Sequence, residues 1–103
     1  MSLMTEQRRE VALIRVTGEV DLATAPQLQD ALLAAVKASA AVELDLRRVT
    51  FIDCVGIEVL RRAQRVADRS ACHLVVRSSA PVARLARLME ELAHLRVSAR
   101  VGS

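Results

Sequence analysis

Val42-Glu43-Leu44-Asp45-Leu46, followed by Thr50-Phe51-Ile52-Asp53-Cys54-Val55-Gly56-Ile57, decides the fold of this 103-residue chain. The first part alternates aliphatic and acidic residues, the period-two pattern of a strand. Val49 to Ile52 extends the connection. An amphipathic helix is expected from about Val55 to Arg69, with Val59, Leu60, Ala63, Val66 and Ala67 as its buried stripe. Between strand and helix lies a turn that carries an acid, a small polarisable residue and a glycine. Such a turn, at the head of a helix, is a docking point for a partner or a phosphate.

The same alternation continues on both sides. Val11 to Thr17 is rich in β-branched residues and is expected to end at Gly18. The polar segment before it can supply a short antiparallel partner. Thr24-Ala25-Pro26-Gln27 fits a capping box with proline in the first turn, opening a helix to about Ala38 that buries Leu28, Leu32, Ala35 and Val36. Cys72 to Val76 reads as another strand. Ser79 and Pro81 open a third helix carrying Val82, Leu85 and Met89, and Leu95-Arg96-Val97 leads to a last strand ending near Val101. Strands alternating with helices imply an α/β domain with a mainly parallel sheet of four to five strands and three or four helices. One domain is expected over residues 4–103, with residues 1–3 read as a leader outside it.

Composition narrows the function. With one aromatic residue, Phe51, the chain lacks the rings that nucleic-acid stacking platforms need. A net charge of +3 is spread along the chain, not gathered on one stripe, so direct nucleic-acid binding is not expected. No apolar run approaches the ~18 residues of a membrane span, and none reads as a signal peptide. Two cysteines make neither a disulfide framework nor a metal cluster and suit a reducing, cytoplasmic setting. Three scattered glycines cannot build a phosphate loop, and His73 and His94 read as packed or solvated residues rather than ligands. Neither an enzyme nor a cofactor is expected.

Two acids stand out. Asp21 follows the first long strand and Asp53 the second, so a parallel sheet brings both to one edge, the usual place for sites. Either acid can also simply cap a loop or helix start. Ile57 falls about 120° from the centre of its helix's apolar stripe, counted at about 100° per residue. Beside Cys54, Val55 and Gly56 it is expected to form an exposed apolar knob suited to protein docking.

Gly18-Glu19-Val20-Asp21-Leu22-Ala23-Thr24-Ala25-Pro26, and Leu44-Asp45-Leu46 through Phe51-Ile52-Asp53-Cys54-Val55-Gly56, resemble the STAS domain, a family that spans sulfate transporters and anti-sigma factor antagonists. The likeness runs from about Val11 to Val97 and is nearest to the free-standing bacterial antagonists. It implies a partner switch. The antagonist binds an anti-sigma factor, a serine kinase of the histidine-kinase-like ATPase fold, and thereby frees a sigma factor. Phosphorylation of a serine in the turn then ends the complex. That serine's position falls on Cys54, which lacks the hydroxyl. The implied partner surface comprises Asp21, Thr24, Asp53, Cys54, Val55, Gly56, Ile57 and Arg61. Reversing the charge at Asp53 is expected to abolish docking and leave the fold intact. Two alternatives share the fold and the turn: a STAS subunit of a lipid-transport ABC ATPase complex, and a scaffold gated by oxidation of Cys54.

Overall fold

The computed structural model describes residues 1–93 and 99–101, with side-chain surroundings through Met89. The elements run β1 (Ser2–Arg8), β2 (Val11–Val20), α1 (Ala25–Ala38), β3 (Ala41–Ile52), α2 (Cys54–Arg69), β4 (His73–Ser78), α3 (Ala80–Ala93) and β5 (Ala99–Val101). They build one five-stranded sheet in the order β1-β2-β3-β4-β5. β1 is antiparallel to β2, and all other pairs are parallel. The α/β class, the mostly parallel sheet and the antiparallel first strand are those expected from the sequence. His94 and the expected lead-in Leu95–Val97 lie outside the described residues.

Parallel neighbours in unbroken order, joined by right-handed crossovers, place every connecting helix on the same face of the sheet. Burial along the strands agrees. In β2, Ala12, Ile14 and Val16 are buried while Leu13, Arg15 and Thr17 are not. The covered face holds an aliphatic core that includes Ile14, Leu28, Leu32, Leu44, Leu46, Ile57 and Leu60, all essentially inaccessible. The other face is open and charged. Arg15, Asp45 and Arg77 sit in register across β2, β3 and β4, and Arg77 pairs with Glu43.

Residues 2 and 3 belong to β1 and pair with Thr17 and Val16 of β2. Three local expectations change. β2 does not end at Gly18 but passes through it at φ +90°, a backbone that glycine alone adopts freely. β3 is one strand of 12 residues instead of a strand plus a connection. The capping box does not form: Thr24 is the N-cap residue but its side chain makes no cap bond to α1. Its backbone is already near-helical (φ −104°, ψ −19°), so its hydroxyl faces back into the preceding turn.

Candidate functional site

The site is assembled by strand register. Val20 pairs with Ile52 at the ends of β2 and β3. The residues that follow, Asp21 and Asp53, therefore leave the sheet side by side, as the sequence implies. The backbone N–H of Asp53 donates to the carbonyl of Val20 at 3.2 Å and ties the two exits together.

Each acid organises its own turn. The Asp21 carboxylate accepts from the N–H groups of Ala23 (3.0 Å) and Thr24 (3.1 Å). The Thr24 hydroxyl oxygen returns the bond, accepting the Asp21 N–H at 2.9 Å, and lies 3.1 Å from the Glu19 carbonyl to which it can donate. Asp53 is the N-cap of α2, its carboxylate accepting the Gly56 N–H at 3.0 Å. Both acids thus carry the capping role open to them in the sequence. Both residues remain half-buried.

Cys54 is the first residue of α2 and is exposed. Val55, beside it, is 39% exposed. Arg61, about two turns further along, pairs with Glu58 at 3.4 Å and is half-exposed. Of the eight positions implied as the partner surface, Asp21, Thr24, Asp53, Cys54, Val55 and Arg61 keep some solvent exposure, while Gly56 and Ile57 do not.

Ile57 corrects the sequence reading. It is fully buried, not an exposed knob. Two causes widen the buried arc at this end of α2. α1 packs along α2, and the first turn of α2 is drawn down onto the strand ends. Gly56 permits that descent: a Cβ there would stand 2.6 Å from Ile52 Cγ1 and 2.9 Å from Val20 Cγ1. Gly56 and Ile57 support the turn from beneath and offer a partner nothing directly.

The apolar part of the edge comes from residues the sequence reading passed over. Leu22, in the Asp21 turn, is 73% exposed, and Phe51, two residues before Asp53, is 52% exposed. With Val55 they supply three of the six large apolar side chains exposed among the described residues. Isolated exposed apolar residues are ordinary; these three stand in the segments that flank the two acid turns at the C-terminal ends of β2 and β3, where a partner reaching the turns would meet them. The signal was available in the sequence: Phe51 is the sole aromatic residue, and it adjoins the turn. Among the described residues no three metal-ligating side chains come together, and no helix is long and apolar enough to cross a membrane.

Comparison with known proteins agrees with this architecture. Residues 3–96 match the family model described as Mlab, STAS domain. An anti-sigma factor antagonist from Mycobacterium paratuberculosis superposes with a TM-score of 0.75 at 26% identity, over 90% of this chain and 80% of that one. The antagonist SpoIIAA in its unphosphorylated form gives 0.73 at 18% identity, over 99% and 90%. The Bacillus cell fate determinant SpoIIAA in its phosphorylated form gives 0.75 at 19% identity, over 99% and 92%, and both SpoIIAA likenesses speak for the fold alone. No curated sequence matches the chain. A family match over nearly the whole length, on a sheet and turn of this geometry, means that the chain belongs to the STAS domain family, with the architecture of its anti-sigma factor antagonists.

Proposed function

We propose that this protein is a non-enzymatic binding module that docks on a kinase-type anti-sigma factor through the edge formed by the Asp21 and Asp53 turns. It would act in the cytoplasm, where holding the anti-sigma factor releases a sigma factor for transcription. The observation that carries this reading is the exposed Cys54 at the head of α2, flanked by two capped acid turns and by exposed Leu22, Phe51 and Val55. Exposed apolar side chains beside fixed charges have the make-up of a protein contact.

The position of Cys54 also determines how such a complex would be regulated. A phosphoserine there would add close to two negative charges at a helix start. The helix itself favours them, but the nucleotide phosphates and acidic groups of a kinase site seated on this edge would meet them as like charge, and the complex would let go. A thiol in place of the hydroxyl gives a serine kinase no acceptor at this position, so the complex lacks that release step and persists. The nearby Thr24 hydroxyl is engaged within its own turn.

Co-purification from the source cells, followed by titration of the recovered partner with wild type and with Cys54→Arg, tests the reading. Tight binding by wild type and at least about tenfold weaker binding by the variant is expected, because a long cation would stand in the centre of the contact. A second reading rests on the family match, whose description names Mlab: a STAS subunit docked by the same edge on an ABC-type ATPase of lipid transport. Recovery of a transport ATPase in place of an anti-sigma factor would select it.

A further inference from the structure

β3 is longer than its neighbour requires. From Arg15 to Val20, β2 advances five residues, while its partners in β3 run from Asp45 to Ile52, an advance of seven. The two extra residues enter at register shifts, one between Arg15 and Thr17 and one between Gly18 and Glu19. The burial pattern of β3 records them. Val42, Leu44 and Leu46 are buried at a spacing of two, then Val49 and Ile52 at a spacing of three. A regular strand would instead turn Arg48 and Thr50 toward the helices.

A bulge leaves a backbone group without its ladder partner. At the first shift that group is the N–H of Arg47, and it donates to the Asp45 carboxylate at 3.0 Å. The Arg47 guanidinium then closes over the same carboxylate through Nε and Nη2, each at 3.0 Å. Asp45 is only 9% exposed, although it lies on the open face of the sheet. The second shift lies beside Gly18, whose positive φ accommodates it.

We propose that Asp45 is a positioning residue for the docking turn, holding the first bulge so that β3 ends level with β2. The inference rests on the docking function proposed above. At about 3.3 Å per residue, each bulge draws the end of β3 back by one residue's length relative to β2. Without both, Ile52 would overshoot Val20 by roughly 7 Å. The Asp53 N–H would lose the Val20 carbonyl, and Cys54 would stand away from the Asp21 turn. Asp45 touches no partner in this account. It acts through the length of β3.

The test compares Asp45→Ala, Asp45→Val and Asp45→Asn by amide NMR, hydrogen exchange and partner titration. Alanine and valine remove the acceptor, and valine retains strand preference if alanine folds poorly. Asparagine keeps a side-chain oxygen at the same place. Expected for alanine and valine are displaced Asp53 and Gly56 amide resonances, roughly tenfold faster exchange at those amides with Leu74 on β4 unchanged, and roughly tenfold weaker binding. Asparagine should restore the resonances and the exchange rates. Wild-type resonances at Asp53 and Gly56 in the valine variant, or failure of asparagine to restore them, would overturn the proposal. Should wild type bind no anti-sigma factor, the functional reading falls, while the amide measurements still decide the role of Asp45.

Discussion

The backbone N–H of Asp53 donates to the carbonyl of Val20 at 3.2 Å, and this bond joins two turns that lie 32 residues apart in the chain. It spans the ends of two parallel strands, so the acid turns are placed by the rigid part of the fold. The Asp53 side chain is meanwhile occupied with α2, accepting the Gly56 N–H. One residue therefore serves sheet, helix and surface together, and its substitutions should separate those roles. Replacing it with alanine should cost about 1 kcal/mol through loss of the cap. Asp53→Asn keeps the cap, so its unfolding midpoint in urea should stay near wild type while partner affinity falls with the lost charge. Charge reversal to lysine should abolish docking and, through loss of the same cap, lower the urea midpoint by about the alanine amount while the domain stays folded.

Gly56→Ala tests the descent of α2 onto the strands. Alanine in a helix is ordinarily favoured over glycine by about 1 kcal/mol. Here the added Cβ would meet Ile52 and Val20 at under 3 Å. Overpacking of this kind costs typically 1–3 kcal/mol. The net result should be a lower urea midpoint, and shortening the neighbour with Ile52→Val should recover part of the loss.

The two thiols should react at very different rates. Cys54 is exposed, whereas Cys72 is 6% exposed and burial pushes its thiol pKa up. A thiol-specific reagent should label one cysteine per chain promptly in the folded protein and the second only as the domain opens. Mass spectrometry should place the fast label on Cys54. Partner bound at the turn should slow it.

Cys54→Ser restores the hydroxyl at the head of α2. Incubated with the partner kinase and ATP, this variant should gain one phosphate at residue 54, and the complex should then dissociate. Wild type under the same conditions should stay unphosphorylated at that position and stay bound. Intact-mass spectrometry reads the phosphate, and gel filtration reads the complex.

Asp45 should mark the acid limb of stability. The side-chain bond from Arg47 is the main cause that lowers its pKa from 3.8 to about 2. Burial opposes the shift, while the Arg47 N–H and the charges of Arg47 and Arg15 add to it. The folded value lies below the unfolded one, so the carboxylate contributes stability in full above about pH 4 and loses it as pH falls toward 2. A shift of this size corresponds to about 2 kcal/mol. Asp45→Asn has no charge to lose, so its stability deficit relative to wild type should shrink by that amount between pH 5 and pH 2 in urea titrations.

Much of this architecture is legible in the sequence because aliphatic periodicity reports it directly. The strand at Val42–Leu46, the helix stripe through Leu60, Ala63 and Ala67, and the meeting of Asp21 with Asp53 follow from local pattern plus the parallel topology. What the pattern hides is whatever depends on two elements at once. The burial of Ile57 needs α1 packed beside α2 and Gly56 against Ile52, neither of which a single helical wheel contains. Thr24 matches a capping box by residue type, but its backbone and the Asp21 carboxylate claim its hydroxyl for another turn. The bulges of β3 are written in the spacing of Leu46, Val49 and Ile52, though only the register against β2 shows them to be bulges. The exposure of Leu22 and Phe51 likewise depends on where the strands end, which local pattern does not report.

Hydrogen exchange on the chain alone and in complex with its purified partner decides whether the two acid turns are the docking edge. A docked partner should slow exchange across residues 21–24 and 51–55, the two acid turns and their apolar flank, and leave the open sheet face at Arg15, Glu43 and Arg77 unchanged. Protection confined to that open face, with the turns exchanging as in the free protein, would contradict the account.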